Sequence, residues 1–257
     1  MNLPTPSVES APSAIVSPEE WQVRVDLAAF YRLAAQYEWT DLIYSHISAR
    51  VPGPDNHFLL NPFGWMFDEV TASSLVKIDL DGNIVAPTEN HIHPAAFVIH
   101  SAIYEVRPDI QCIFHAHTRA GMAISTMECG LLPLTQHAMI FHDQVAYHAS
   151  EGFALDMNER KTLGSDLGQK SVMILRNHGT LMTGHTIPQA FSMMWHLERA
   201  MQVQVDALAS QRPLTNPPEA VAEGIAQMAY GDKSPLGRLE WPALIRHLER
   251  TDPSYRT

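Results

Sequence analysis

Residues 107–123 read RPDIQCIFHAHTRAGMA, and residues 173–181 read MILRNHGTL. Within the first stretch, IQCIFHAH (110–117) is an apolar run of strand length that ends in His115 and His117. Side chains two apart on a strand share a face, so both imidazoles point the same way. Cys112 has the opposite parity to His115 and points to the other face. In the second stretch, SVMILRNHG (171–179) reads as another buried strand ended by Gly179, with GTLMTG (179–184) as its partner. His178 stands at the end of that strand. If both strands end at one edge of the sheet, His115, His117 and His178 can share one metal ion. Three neutral nitrogens leave coordination positions open, as in a catalytic zinc or iron centre. The competing reading is a set of satisfied histidines beside a core strand.

Outward from these strands, the pattern alternates helices with short strands. Ser17-Pro18-Glu19-Glu20 is a helix start, with a capping Ser, Pro in the first turn and Glu three residues after the cap. The helix is expected to run to about Tyr37. IYSHISARV (43–51) and HFLLNP (57–62) are strand-like. Residues 73–80 lead into Asp81-Gly82-Asn83, a hairpin signal with NIVAP returning. Helices are expected over 94–106, 119–127, 156–167 and from Pro188 to Ala209, and VAYHA (145–149) as a strand. The order predicts an α/β chain, an α/β/α sandwich around a mainly antiparallel sheet. It divides into a leader (1–17), one domain (18–212) and a C-terminal helical extension (213–257).

The 257 residues carry 17 Lys+Arg against 28 Asp+Glu, a formal net charge of −11, with 46% hydrophobic residues. This globular composition argues against nucleic acid or an anionic membrane as the main partner. Two cysteines are too few for a disulfide framework or a thiolate cage. No apolar run reaches the roughly 18 residues of a membrane span, and the N-terminus lacks a secretory signal, so the cytoplasm is the expected location. Fourteen histidines stand out.

The HAH and NHG elements, with SHISARV, LLNPFGW and IHSAIYEVRPD upstream and AYHASEGFALD and AFSMMWHLERAMQVQ downstream, resemble the class II aldolase/adducin family over about residues 20–210. The resemblance implies a divalent metal, most often zinc, on His115, His117 and His178, and a homotetramer with its site near a subunit interface. In the family's sugar-phosphate aldolases the metal binds substrate hydroxyl and carbonyl oxygens and stabilises an enediolate, while a carboxylate moves the proton.

This chain departs from those aldolases. Their general base, a Glu four residues before a helical histidine, maps to Ala96, with the histidine at His100. The phosphate-holding serines map to Pro94 and Ala95, a Gly-Asn pair to Ser45-His46, and a Thr-Gly pair to Phe63-Gly64. The expected substrate is therefore a carbonyl compound or hydroxy acid, flatter or more apolar than a sugar phosphate. His93, His46 and Glu89 are the candidates to replace the base, and Asp41, Tyr44 and Arg50 to orient a substrate. The remaining histidines (57, 137, 142, 148, 185, 196, 247) show no pairing pattern. The leading function is a metal-dependent lyase of the class II aldolase type. The alternatives are a non-haem iron (Fe2+) oxygenase or decarboxylase of aromatic 2-oxo acids, and an adducin-head-like assembly module.

Overall fold

A computed structural model describes residues 16–152, 158–231 and 234–257. Most of the expected leader and the start of the helix expected at 156 lie outside the described residues. The strands are β1 (His46–Arg50), β2 (Phe58–Leu60), β3 (Val76–Ile78), β4 (Cys112–Ala116), β5 (Val145–His148), β6 (Val172–Leu175) and β7 (Gly179–Gly184). They form one sheet in the order β3-β2-β1-β4-β7-β6-β5, with β4 at its centre. Every neighbouring pair is antiparallel except β5 and β6, which run parallel and are joined through helix α5 (Glu159–Leu167). A parallel pair needs such a crossover. The mainly antiparallel sheet and the α/β/α layering match the sequence expectation.

Alternation along the strands divides the core in two. Cys112, Phe114 and Ala116 of β4, with Ile47 and Ala49 of β1, pack on the face covered by α1 (Pro18–Gln36), α3 (Arg119–Ser125) and α6 (Ile187–Ala209). Ile113 of β4, with Met173 and Leu181, packs on the other face under α2 (Pro94–Val106) and α5. Ser17 caps α1 as the sequence indicates, its Oγ accepting from Glu20 N–H at 3.1 Å, and the structure adds Thr186 as the cap of α6, its Oγ1 accepting from Gln189 N–H at 3.2 Å.

Two local expectations change, and one short helix is new. NIVAP forms no return strand and contributes only a bridge between Ile78 and Ile84. Strand β6 stops at Leu175, so Arg176, Asn177 and His178 form a tight turn into β7, with Asn177 in the left-handed region (φ 59°) that Asn tolerates. A one-turn helix, α4 (Gln136–Met139), is too short to show a helical period. After residues 213–218 come α7 (Glu219–Tyr230), α8 (Glu240–Thr251) and a 3-10 turn over Pro253–Arg256. Trp241, Leu248 and Tyr255 from this region join the same buried cluster as Phe30 of α1. Among the described residues, no helix is long and apolar enough to cross a membrane.

Candidate metal centre and its cavity

Strands β4, β5 and β6 all end at one rim of the sheet, because β7 runs antiparallel to both β4 and β6 and β5 is parallel to β6. His115 is on β4, His117 just beyond it, and His178 in the turn before β7, whose Thr180 pairs with Ala116. Gly179 makes this approach possible: a Cβ there would lie 2.5 Å from Ala116 O and 3.0 Å from the His117 ring. The result brings the three predicted side chains together, with His117 Nε2 at 2.8 Å from His115 Nε2 and 3.0 Å from His178 Nε2.

Hydrogen bonds on the far side of the rings fix what these nitrogens offer. His115 Nδ1–H donates to the Thr180 carbonyl at 3.0 Å, and His117 Nδ1–H donates to Asp41 Oδ2 at 3.0 Å. Both partners only accept, so the neutral rings carry their protons on Nδ1 and bare lone pairs on Nε2. Such backing orients histidines that bind metal. Burial, reinforced by neighbouring histidines, holds His115 well below the usual imidazole range and brings His178 down to about 4. Two bare lone pairs at 2.8 Å, those of His115 and His117 Nε2, repel unless a positive centre lies beside them. The donor set therefore fits a divalent cation, with room for further ligands.

The nitrogens open into a cavity of about 810 Å³ lined by Asp41, Tyr44, His46, His93, Asn177 and Ser150, among others. His46 faces it because it pairs directly with His115 across β1 and β4; the two rings lie 4.9 Å apart. Behind it, His46 Nδ1 lies 2.7 Å from His100 Nε2, and His100 Nδ1 meets Ser48 Oγ, which is 2.9 Å from Tyr104 Oη. Burial lowers His46 well below its ordinary pKa and His100 to about 3. This buried chain was not anticipated, although β1 parity places His46 and Ser48 on one face.

His93 lines the cavity as the N-cap of α2, its Nδ1 accepting from Ala95 N–H at 3.1 Å. Phe63 and Tyr44 set their rings edge-on to it, at 4.5 and 6.3 Å. Ala96 is buried among Ile99, Ala102 and Ile103, so nothing ionisable occupies that position. Glu89 is exposed and does not line the cavity. Arg50 is at the far end of β1, bonded to the carbonyls of Ile110 and Tyr104, away from the rim. Several histidines read as unpaired have partners. His148 is buried with Nδ1 at 2.8 Å from Asp166 and Nε2 at 3.5 Å from Glu159, and His137 stacks on His196 at 5.0 Å. Their partners are distant in sequence or on another element, which spacing alone does not reveal.

Residues 25–205 match the model of the class II aldolase and adducin N-terminal domain. The chain belongs to this family. A crystal structure of an aldolase II superfamily protein from Pseudomonas syringae is 50% identical, covering 96% of this chain and all of that one, with a TM-score of 0.91. The L-fuculose 1-phosphate aldolase of Glaciozyma antarctica PI12 is 28% identical, covering 97% of each chain, with a TM-score of 0.83. Alpha-adducin of Mus musculus is 40% identical over all of this chain, which spans 37% of that protein. The class II aldolase/adducin domain thus occurs in similar proteins named both for catalysis and for adducin.

Proposed function

We propose that this class II aldolase/adducin family member is a metal-dependent lyase that acts on a small carbonyl or hydroxy-acid substrate. His115, His117 and His178 hold a divalent cation, most readily zinc, with Fe2+ also compatible with all-nitrogen ligation. The observation that carries the reading is the convergence of Nε2 atoms whose Nδ1 protons are already committed to Asp41 and Thr180. The bound cation would polarise substrate oxygens and stabilise charge that develops during carbon–carbon cleavage. The chain's own residues keep His115 and His178 neutral and orient the rings.

The cavity chemistry supports a substrate other than a sugar phosphate. Among the described lining residues there is no Lys or Arg. In the first turn of α2, Pro94 has no N–H, that of Ala95 goes to His93 Nδ1 and that of Phe97 to the His93 carbonyl, which leaves an anion the N–H of Ala96 alone. Zinc-reconstituted protein tested against a panel of 2-oxo and 2-hydroxy acids should cleave or decarboxylate members of the panel and lose activity on chelation. No metal in carefully reconstituted protein, or turnover that survives chelation, would defeat this reading.

The adducin likeness and the alanine at position 96 favour a second reading, an assembly module without catalysis. Retention of the histidine cluster and its backing bonds supports the enzyme instead. We further propose a homotetramer in the cytoplasm, with small molecules and further copies of this chain as partners.

A further inference from the structure

Two cavity histidines each have one ring nitrogen committed to the protein, and the direction of those bonds determines what the other nitrogen offers. At His93 the Nδ1 accepts the Ala95 amide proton, so a neutral ring carries its own proton on Nε2. At His46 the direction is set three residues inward. The buried Tyr104 hydroxyl has two neighbours among the described residues: Ser48 Oγ at 2.9 Å and the Gln111 carbonyl at 3.5 Å, the outer limit of a hydrogen bond. Either oxygen of the Ser48–Tyr104 pair can donate, and because only this bond has ordinary O–H···O length, Ser48 Oγ is the better acceptor site for the phenolic proton. Ser48 O–H then donates to His100 Nδ1, and His100 Nε2–H donates to His46 Nδ1. His46 is left with its proton on Nε2, the nitrogen free to meet a ligand.

We propose that His46 and His93 are a pair of fixed imidazole N–H donors that grip one anionic oxygen group of the ligand, a carboxylate or enolate, beside the three-histidine cluster. Their rings lie 6.2 Å apart with a tilt of 31°, and the His46 ring lies 4.9 Å from that of His115, so His46 adjoins the cluster and His93 lines the same cavity beside it. With the Nδ1 lone pairs of both rings engaged, neither acts as the base missing at Ala96. Two neutral donors suit a carboxylate spread over two oxygens better than a phosphate dianion, which calls for cationic side chains. Tyr44 lines the cavity edge-on to His93 and adds apolar surface there, while Phe63 packs edge-on against the same ring. The ligand class is a planar 2-oxo or 2-hydroxy acid with an apolar tail. The metal-centre reading is needed only to place its second oxygen.

Neutron diffraction from crystals of the full chain would locate the protons. Deuterons are expected on Nε2 of both His46 and His93, and a deuteron on Nδ1 of either overturns the donor assignment. Calorimetry with phenylpyruvate on zinc-loaded protein tests the ligand class. His93→Asn keeps a helix-capping side chain without the ring donor, and His46→Phe keeps a flat ring without it. Each variant should retain wild-type zinc stoichiometry and bind phenylpyruvate about tenfold more weakly. Unchanged affinity in both, or wild-type protein that takes zinc but ignores phenylpyruvate, overturns the proposal. Wild-type protein that takes no zinc instead refutes the metal-centre reading, and the deuteron positions still decide the donors.

Discussion

At the scale of single residues, the site depends on small atoms in tight places. Gly179→Ala would press a methyl group against the Ala116 carbonyl where β7 leaves the turn. A loss of about 2–3 kcal/mol in stability, read from urea unfolding, is expected together with weaker metal retention. Asp41→Asn should leave the fold intact, since the carboxylate sits at the cavity and backs His117 alone among the cluster. Its zinc affinity should fall by about 10–100-fold in chelator competition. The pH dependence has a definite sign. His100 titrates at about 3 in the folded protein, against an ordinary value of 6.5. As pH falls, the unfolded chain takes up this proton first. Its contribution to stability is therefore full above about 6.5 and declines as pH falls from there toward 3. Urea midpoints between neutral and acid pH should drop, and a His100→Gln variant should show a shallower slope. A slope unchanged by that substitution would assign the acid sensitivity elsewhere.

Among elements, α3 illustrates how one side chain joins two parts of the fold. Thr118 Oγ1 accepts from Gly121 N–H at 3.0 Å as the cap of α3 and donates to Glu198 Oε2 of α6 at 2.7 Å. Burial raises the Glu198 carboxyl pKa, so loss of this donor leaves a partly desolvated acid less well supported. Thr118→Ala is expected to cost about 1–2 kcal/mol, measurable as a lower thermal midpoint with no change in circular dichroism at low temperature. Elements with a strong local signal were readable in advance: the Ser17 cap, the apolar β4 run and the long helix from about Pro188 to Ala209. Those that depend on partners were not. Asp81-Gly82-Asn83 makes its turn without a returning strand, because only Ile84 reaches the ladder. Strand β6 ends early because the bend through Asn177 is what turns His178 toward β4. The HAH parity made the shared face of His115 and His117 legible, whereas Asp41, 76 residues from His117, has no signal in spacing.

For the whole molecule, the C-terminal region contributes to the main core. Trp241 lies 6.5 Å from Phe30 and 5.7 Å from Phe191, and the Tyr255 and Thr257 carbonyls accept from Ala72 and Ser73 N–H at 2.9 Å each. Removing residues 213–257 would uncover these rings. The shortened chain should give little soluble protein and no sharp melting transition; a normal melt would show that the first 212 residues are sufficient. The layered architecture could be read from the alternation of helices and strands. The parallel pairing of β5 with β6 could not, since strand direction is set by where the crossover helix packs. That parallel pairing also shapes one wall of the cavity. It delivers Ser150 and Gly152 to the cavity from the sheet's outermost strand, where a change of length disturbs no ladder on the far side. The rim there can therefore be lengthened or trimmed while the imidazoles at the sheet's centre keep their positions.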